Sequence, residues 1–346
     1  MKTTLGHKIP RRPAILIILM GSLGDLVRGL SLVSHIKASC PHSRITWLVE
    51  PAWEKIARQH RGIDRLIRFD RPRGIFAIPA LLRDLNEERF DIALDLQRHF
   101  KSGFFSLLSG AKRRIGFHRR NAKEFNWLFN NEQIAYQPDT LPKIRHYLKF
   151  TEYLGLPPTG RLDFGFSEMD PWAAYPKLTA IGGPFVGIVM GSSWESKDWT
   201  FRGYKALAEK ILATGKQKVL LLGDRSKAAE ALNLTCAVNN PDLINLAGKT
   251  SLMELVAVIK AADACVGPDS GPAHLAGAVG TPYVCLFGPT CHRRVAPYDS
   301  EALAIHGYAA CPKAPCYRKR CKNPVCISTI NADTVIKKLT AALTKG

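Results

Sequence analysis

Twice along this chain, short apolar-rich runs alternate with longer stretches of helical period. In the first series Ala14–Met20, Arg44–Val49, Arg65–Phe69, Ile92–Leu96 and Arg114–Phe117 read as strands. Between and after them Asp25–Ala38, Trp53–Gln59, Ile78–Glu88, Ser102–Leu108 and Ile144–Leu154 read as helices, with Leu26, Leu30 and Val33 on one face of the first. Strands that are apolar along their whole length are covered on both faces, and interposed helices make each connection a crossover. The pattern therefore predicts an α/β chain with parallel, doubly wound sheets. A Pro- and Gly-rich segment from Leu156-Pro157-Pro158 to Pro184 interrupts the alternation and reads as a linker. The second series then has Phe185–Met190, Lys218–Leu222, Ala264–Val266 and Tyr283–Phe287 as strands. Its helices are Tyr204–Ala213, Ser226–Asn233, Leu252–Ala261, Ala273–Val279 and a closing Val335–Leu343. Expected domains are residues 1–165 and 180–330, with the helix in 331–346 packing back on the first. A ligand crevice between two such domains is the default expectation.

The most informative stretch is Val266–Thr290. A short strand ends in Gly267-Pro268-Asp269-Ser270-Gly271-Pro272, a small-residue helix follows, Gly280 and Pro282 close it, and Tyr283–Phe287 returns as a buried strand. Such a loop aims backbone N–H groups and the positive end of a helix dipole at one point, where a diphosphate can sit. Asp269 or Ser270 can cap the helix, Pro272 suits its first turn, and Gly271 leaves room for a ligand. His274 follows within that turn. The competing reading is a capped crossover with no ligand and His274 packed beneath the loop.

Each half also carries a polar loop after its first strand. In the first, Gly21-Ser22-Leu23-Gly24-Asp25 places Asp25 at a helix start, as a helix cap or as an isolated carboxylate able to act as a base. In the second, Gly191-Ser192-Ser193 precedes Lys197, and two hydroxyls with a lysine beyond a strand suit phosphate. Asp224, after Lys218–Leu222, could meet a ribose or base. Phosphate-type loops in one half and a lone carboxylate in the other suit transfer from a nucleotide-activated donor, whose leaving diphosphate needs positive charge.

A formal net charge of +20 favours anionic partners. The densest basic cluster is Lys112, Arg113, Arg114, His118, Arg119, Arg120 and Lys123, with a second at Arg318–Lys322. No zinc finger, RNA-binding sheet signature or basic zipper accompanies them, so nucleic acid is not the expected partner. The longest early apolar run, Ala14–Met20, has seven residues where a membrane span needs roughly 20. It leads into Gly21 without a small-residue cleavage site, and a cytoplasmic protein is expected. Of nine cysteines, Cys311, Cys316, Cys321 and Cys326 recur with four residues between them. They are a candidate structural zinc or iron site, although the spacing is wider than the usual knuckle.

Taken together, these motifs resemble the ADP-heptose:lipopolysaccharide heptosyltransferases, the family 9 glycosyltransferases. The resemblance rests first on Asp269-Ser270-Gly271-Pro272-Ala273-His274 with Gly280-Thr281-Pro282 and Leu286-Phe287-Gly288-Pro289-Thr290, then on Gly21–Asp25. Asp95-Leu96-Gln97 with Lys101, Arg114–Phe117, the Ser192-Ser193…Lys197…Trp199 block and the cysteine tail add to it. It implies the GT-B fold, two doubly wound Rossmann-like domains facing an interdomain crevice. It implies an inverting transfer of heptose from ADP-heptose to the lipopolysaccharide inner core, without a covalent intermediate or a required cofactor.

Under the resemblance Asp25 is the general base and Lys197 neutralises the diphosphate. Ser192, Ser193, Asp224, Asp269, Ser270, Gly271 and His274 bind the donor. Gln97, Lys101, Arg119 and Arg120 are the candidate acceptor contacts, steering to an anionic lipid A-core precursor at the inner face of the inner membrane. The family's histidine before the helix at Ile144–Leu154 is replaced here by Thr140-Leu141-Pro142. Competing functions are transfer of another nucleotide sugar, a sugar-nucleotide epimerase of the same architecture, and a catalytically silent binding protein for nucleic acid or a membrane surface.

Overall fold

The computed structural model of the chain describes residues 9–344. It divides into two compact units between Ser167 and Glu168. The first holds a parallel sheet of β1 (Ala14–Ile18), β2 (Arg44–Val49), β3 (Arg65–Arg68), β4 (Ile92–Asp95), β5 (Arg113–Gly116) and β6 (Glu132–Gln133), in the order β3-β2-β1-β4-β5-β6. The second holds β7 (Phe185–Val189), β8 (Lys218–Leu222), β9 (Leu243–Asn245), β10 (Ala264–Pro268), β11 (Tyr283–Phe287) and β12 (Ala304–His306), in the order β12-β11-β10-β7-β8-β9. Every strand pair in both sheets is parallel. Each unit thus starts in the middle, winds outward one way, returns and winds out the other way. The order reverses between β1 and β4 in the first and between β7 and β10 in the second.

The central strands are buried because both faces are covered. All five residues of Ala14–Ile18 are buried, as are all of Phe185–Val189 and Tyr283–Phe287. On one face of the first sheet Leu16, Ile18, Leu48 and Ala93 pack with Phe69, Leu81 and Phe105. In the second, Val186, Ile188, Leu221, Val266 and Leu286 pack with Leu207, Ile211, Leu234, Val335 and Leu339. The closing helix, Ala332–Leu343, was expected to pack back on the first domain. Its buried face, Val335 and Leu339, lies in the second unit's core.

β6, β9 and β12 carry two or three residues each and were not anticipated. A run that short has no periodicity of its own, and the pairing is imposed by the neighbouring strand. Short helices at Pro171–Ala174 and Lys177–Ile181, within the segment read as a linker, and at His292–Val295 and Val325–Ser328 were not anticipated either. Further differences lie at element ends. Two of them move functional side chains. The helix expected from Asp25 begins at Leu23 with Ser22 at its N-cap. The helix expected from Ile144 begins at Lys143.

Candidate active site

In the second unit the loops after β7 and β10 leave neighbouring strands at the point of reversal, where open α/β sheets bind ligands. The loop after β10 runs into the helix Gly271–Val279. Ser270 holds its N-cap position, yet the Ser270 side chain makes no capping bond, and Gly280 closes the helix in the left-handed region at φ 84°. Asp269 does not cap either. Its Oδ2 accepts from Lys197 Nζ at 2.8 Å and from Thr290 Oγ1 at 2.9 Å, and His274 Nε2 stands 3.6 Å from Oδ1. Burial would raise the Asp269 carboxyl, but the His274 and Lys197 contacts outweigh it and hold it well below the usual carboxylate range. Asp269 is therefore a buried anion that orients two basic side chains at the start of a helix.

The loop after β7 presents Lys197. Its ammonium also donates to the Asp269 carbonyl at 3.1 Å and lies 4.4 Å from the centre of the Trp194 ring. Gly191 has φ 74°, and a Cβ there would lie 2.1 Å from Lys227 Cε, so the turn needs glycine. Lys227 in turn binds Asp198 at 2.6 Å, and Asp198 accepts from the Ser192 N–H at 2.7 Å. Ser192 Oγ donates to the Trp194 carbonyl at 2.9 Å, which makes it a loop brace. Ser193 lines an open cleft of about 530 Å³ with Glu195, Lys319 and Arg320. Asp224 is exposed after β8, and its Oδ1 accepts from the Ser226 N–H and Oγ at 2.8 and 2.6 Å.

In the first unit the reversal lies between β1 and β4, and Asp25 stands beside it. With Ser22 at the N-cap, Asp25 falls in the first helical turn and is released from capping. Its Oδ1 receives Lys143 Nζ at 2.9 Å, Arg28 Nη1 at 3.0 Å and Tyr147 Oη at 3.2 Å. Lys143 and Tyr147 are one turn apart on a helix packed against that of Asp25. Burial would raise the carboxyl; Lys143 and Arg28 outweigh it and hold it well below the ordinary range. Burial also pulls the Lys143 ammonium down, opposed by Asp25. Reading the sequence missed Arg28, Lys143 and Tyr147. The signal for Arg28 was its three-residue spacing from Asp25; nothing local pointed to the other two.

Gln97, an expected acceptor contact, binds backbone. Its Oε1 accepts from the Met20 N–H at 2.7 Å and its Nε2 donates to the Gly21 carbonyl at 3.0 Å, which fixes the loop leading to Asp25. Lys101 lies over the Phe69 ring and Arg120 over the Tyr136 ring. The Arg119 N–H donates to Gln133 Oε1. The basic cluster separates in two. Arg113 pairs with Glu132 at 2.7 Å, Arg114 donates to the Phe129 and Ala111 carbonyls, and Lys112 stands 3.5 Å from Asp91. His118–Lys123 form the loop beyond β5.

The cysteine tail does not assemble as expected. Among the described residues no three His, Cys, Asp or Glu side chains stand together as a metal site. Cys326 is buried in the short helix Val325–Ser328 against Gly288, while Cys321 is exposed. Burial pushes the Cys326 thiol up, and Cys311, Cys316 and Cys321 are near enough to add to it.

Two parallel units of the same strand order, each with its polar loops at the reversal, are the architecture of a GT-B glycosyltransferase. The model of "Glycosyltransferase family 9 (heptosyltransferase)" matches residues 78–326, and the chain belongs to that family. It is 28% identical over 296 residues to the lipopolysaccharide core heptosyltransferase OpsX of Haemophilus influenzae, covering 85% of this chain and 84% of that one. The family 9 glycosyl transferase of Veillonella parvula superposes with a TM-score of 0.83 at 20% identity, over 96% of this chain and 98% of that one. The E. coli heptosyltransferase WaaC with ADP gives 0.74 at 21% identity, over 95% and 99%. The chain is thus a glycosyltransferase.

Proposed function

We propose that the chain transfers heptose from ADP-heptose to the lipopolysaccharide inner core, inverting the anomeric centre. The family and the names of its relatives support the donor and the pathway. The observation that carries the mechanism is the division of labour between the two reversals: a charged carboxylate, Asp25, at the first, and an ammonium beside an uncapped helix start, Lys197 at Gly271–Val279, at the second.

Asp25 takes the proton of the attacking hydroxyl as its oxygen bonds to the anomeric carbon and the bond to the diphosphate breaks. Negative charge grows on the leaving diphosphate. Lys197, oriented by Asp269, and the N–H groups of the helix start meet that charge. These groups supply the positive charge a departing diphosphate needs, so the reading requires no bound metal. Lys101, Arg119 and Arg120 are proposed to meet an anionic acceptor, and Asp224 to contact the nucleoside. The proposed location is the cytoplasmic face of the inner membrane. Among the described residues no helix is long and apolar enough to cross a membrane.

The test has two parts. ADP should raise the melting temperature more than UDP or GDP at equal concentration. Asp25→Asn should keep that stabilisation and lose transfer by about 10²–10⁴-fold. Near-normal turnover in Asp25→Asn would remove Asp25 from the role, and preference for UDP would remove the donor.

A further inference from the structure

The most exposed large apolar side chains among the described residues are Phe76 at 77%, Ile75 at 73%, Phe125 at 69% and Leu128 at 61%. All four belong to the first unit. Ile75 and Phe76 follow β3, and Phe125 and Leu128 follow β5. Because every strand of that sheet is parallel, both loops leave from its carboxyl edge, the edge at which β1 leads to Asp25. Half-exposed Phe100, after β4, joins them; its ring meets Phe129 edge-on at 5.0 Å and lies 6.3 Å from Phe104.

The surroundings are cationic. The three segments 69–77, 96–101 and 117–129 hold seven Lys and Arg (Arg71, Arg73, Arg98, Lys101, Arg119, Arg120 and Lys123) against two acids, Asp70 and Glu124. The backbone also commits to this display. Glu124 and Phe125 have φ of 52° and 55°, the left-handed region that bulky side chains avoid, and the Phe125 ring is nevertheless turned to solvent. The segment is pinned on both sides of that ring, Glu124 accepting from the Phe100 N–H at 3.2 Å and buried Asn126 donating to Asp95 at 2.6 Å, so the ring is displayed from a fixed loop.

Apolar tips carried on separate loops, ringed by cations, match the chemistry of an anionic lipid surface. The tips enter the boundary between headgroups and acyl chains, and the cations meet the phosphates. We propose that the carboxyl edge of the first sheet docks on an anionic bilayer through Ile75, Phe76, Phe125 and Leu128. This deepens the proposed function and rests on it for its purpose, since an acceptor held in that bilayer is then presented to the edge that carries Asp25.

The experiment is co-sedimentation of the full chain with vesicles of phosphatidylcholine alone or with about one-third phosphatidylglycerol. The chain should partition at least about tenfold more strongly onto the anionic vesicles, and the difference should shrink as salt rises. Ile75→Ser with Phe76→Ser, at surface positions that leave the core intact, should lower that partition about tenfold while the melting temperature and its rise with ADP stay unchanged. Arg73→Gln should lower it less and flatten the salt dependence. Equal partition of the wild type onto both vesicles, or unchanged partition of the double variant, overturns the proposal. So does a change of oligomeric state in the double variant without loss of vesicle binding, which would make this face a contact between copies of the chain. Vesicle binding involves no turnover, so its outcome is separate from that of Asp25→Asn.

Discussion

Lys143 Nζ lies 2.9 Å from Asp25 Oδ1 although the two residues are 118 positions apart in the chain. Arg28 and Tyr147 approach the same oxygen, so the carboxylate is charged and firmly oriented but has little affinity for a proton. A base in this state is held in position by the same groups that weaken it. Removing Lys143 should therefore raise the Asp25 carboxyl. The expected result for Lys143→Met is an acid limb of the pH–rate profile displaced upward by about one to three pH units. An unmoved limb, with turnover simply scaled down, would show that Lys143 does not act on the ionisation of Asp25.

Lys197→Ala removes the ammonium that binds Asp269 just before Gly271–Val279. It should weaken ADP binding and reduce turnover together, because the group meets charge that is partly present in the ground state and increases on departure. Calorimetric titration of ADP alongside steady-state rates separates the two. A variant with normal ADP affinity and normal kcat would remove Lys197 from the donor site.

Asp269 links the site to stability. Its carboxyl is lower in the fold than in the unfolded chain, so it stabilises above the unfolded value, near 3.9, and that contribution is lost as pH falls through the folded value. Melting temperature should thus drop with acid below about pH 4, and less steeply in Asp269→Asn. At neutral pH the same variant leaves Lys197 without its buried partner and should be less stable by on the order of 3 kcal/mol. Equal acid slopes in the two proteins would contradict the assignment.

Leu339 on the closing helix is fully buried in the second unit's core. Leu339→Ala should cost about 2–5 kcal/mol, through lost burial and the cavity left behind. Denaturant unfolding measures it. A cost near zero would mean that the helix is not a fixed part of that core.

The alternation of apolar runs and helical stretches was enough to establish two doubly wound parallel units, because burial on both faces writes an unbroken apolar strand into the sequence. It also placed Gly21–Asp25, Gly191–Lys197 and Asp269–His274 at strand ends, where glycine, helix-starting residues and polar side chains signal a loop with work to do. What a polar side chain touches is not written locally. Asp25 could be read as a cap until the fold placed Ser22 at the N-cap and brought Lys143 and Tyr147 across from another helix. Gln97 read as a ligand contact, and its clamp on the Met20 and Gly21 backbone was not foreseen. Asp269 read as part of an anion cradle and became the group that orients Lys197 and His274. Four evenly spaced cysteines suggested a metal, yet among the described residues no three such side chains stand together as a metal site. Periodicity records which face of an element is buried, and so fixes the elements and their order. Partners drawn from distant segments depend on how the helices pack over the sheet, which only the tertiary structure decides.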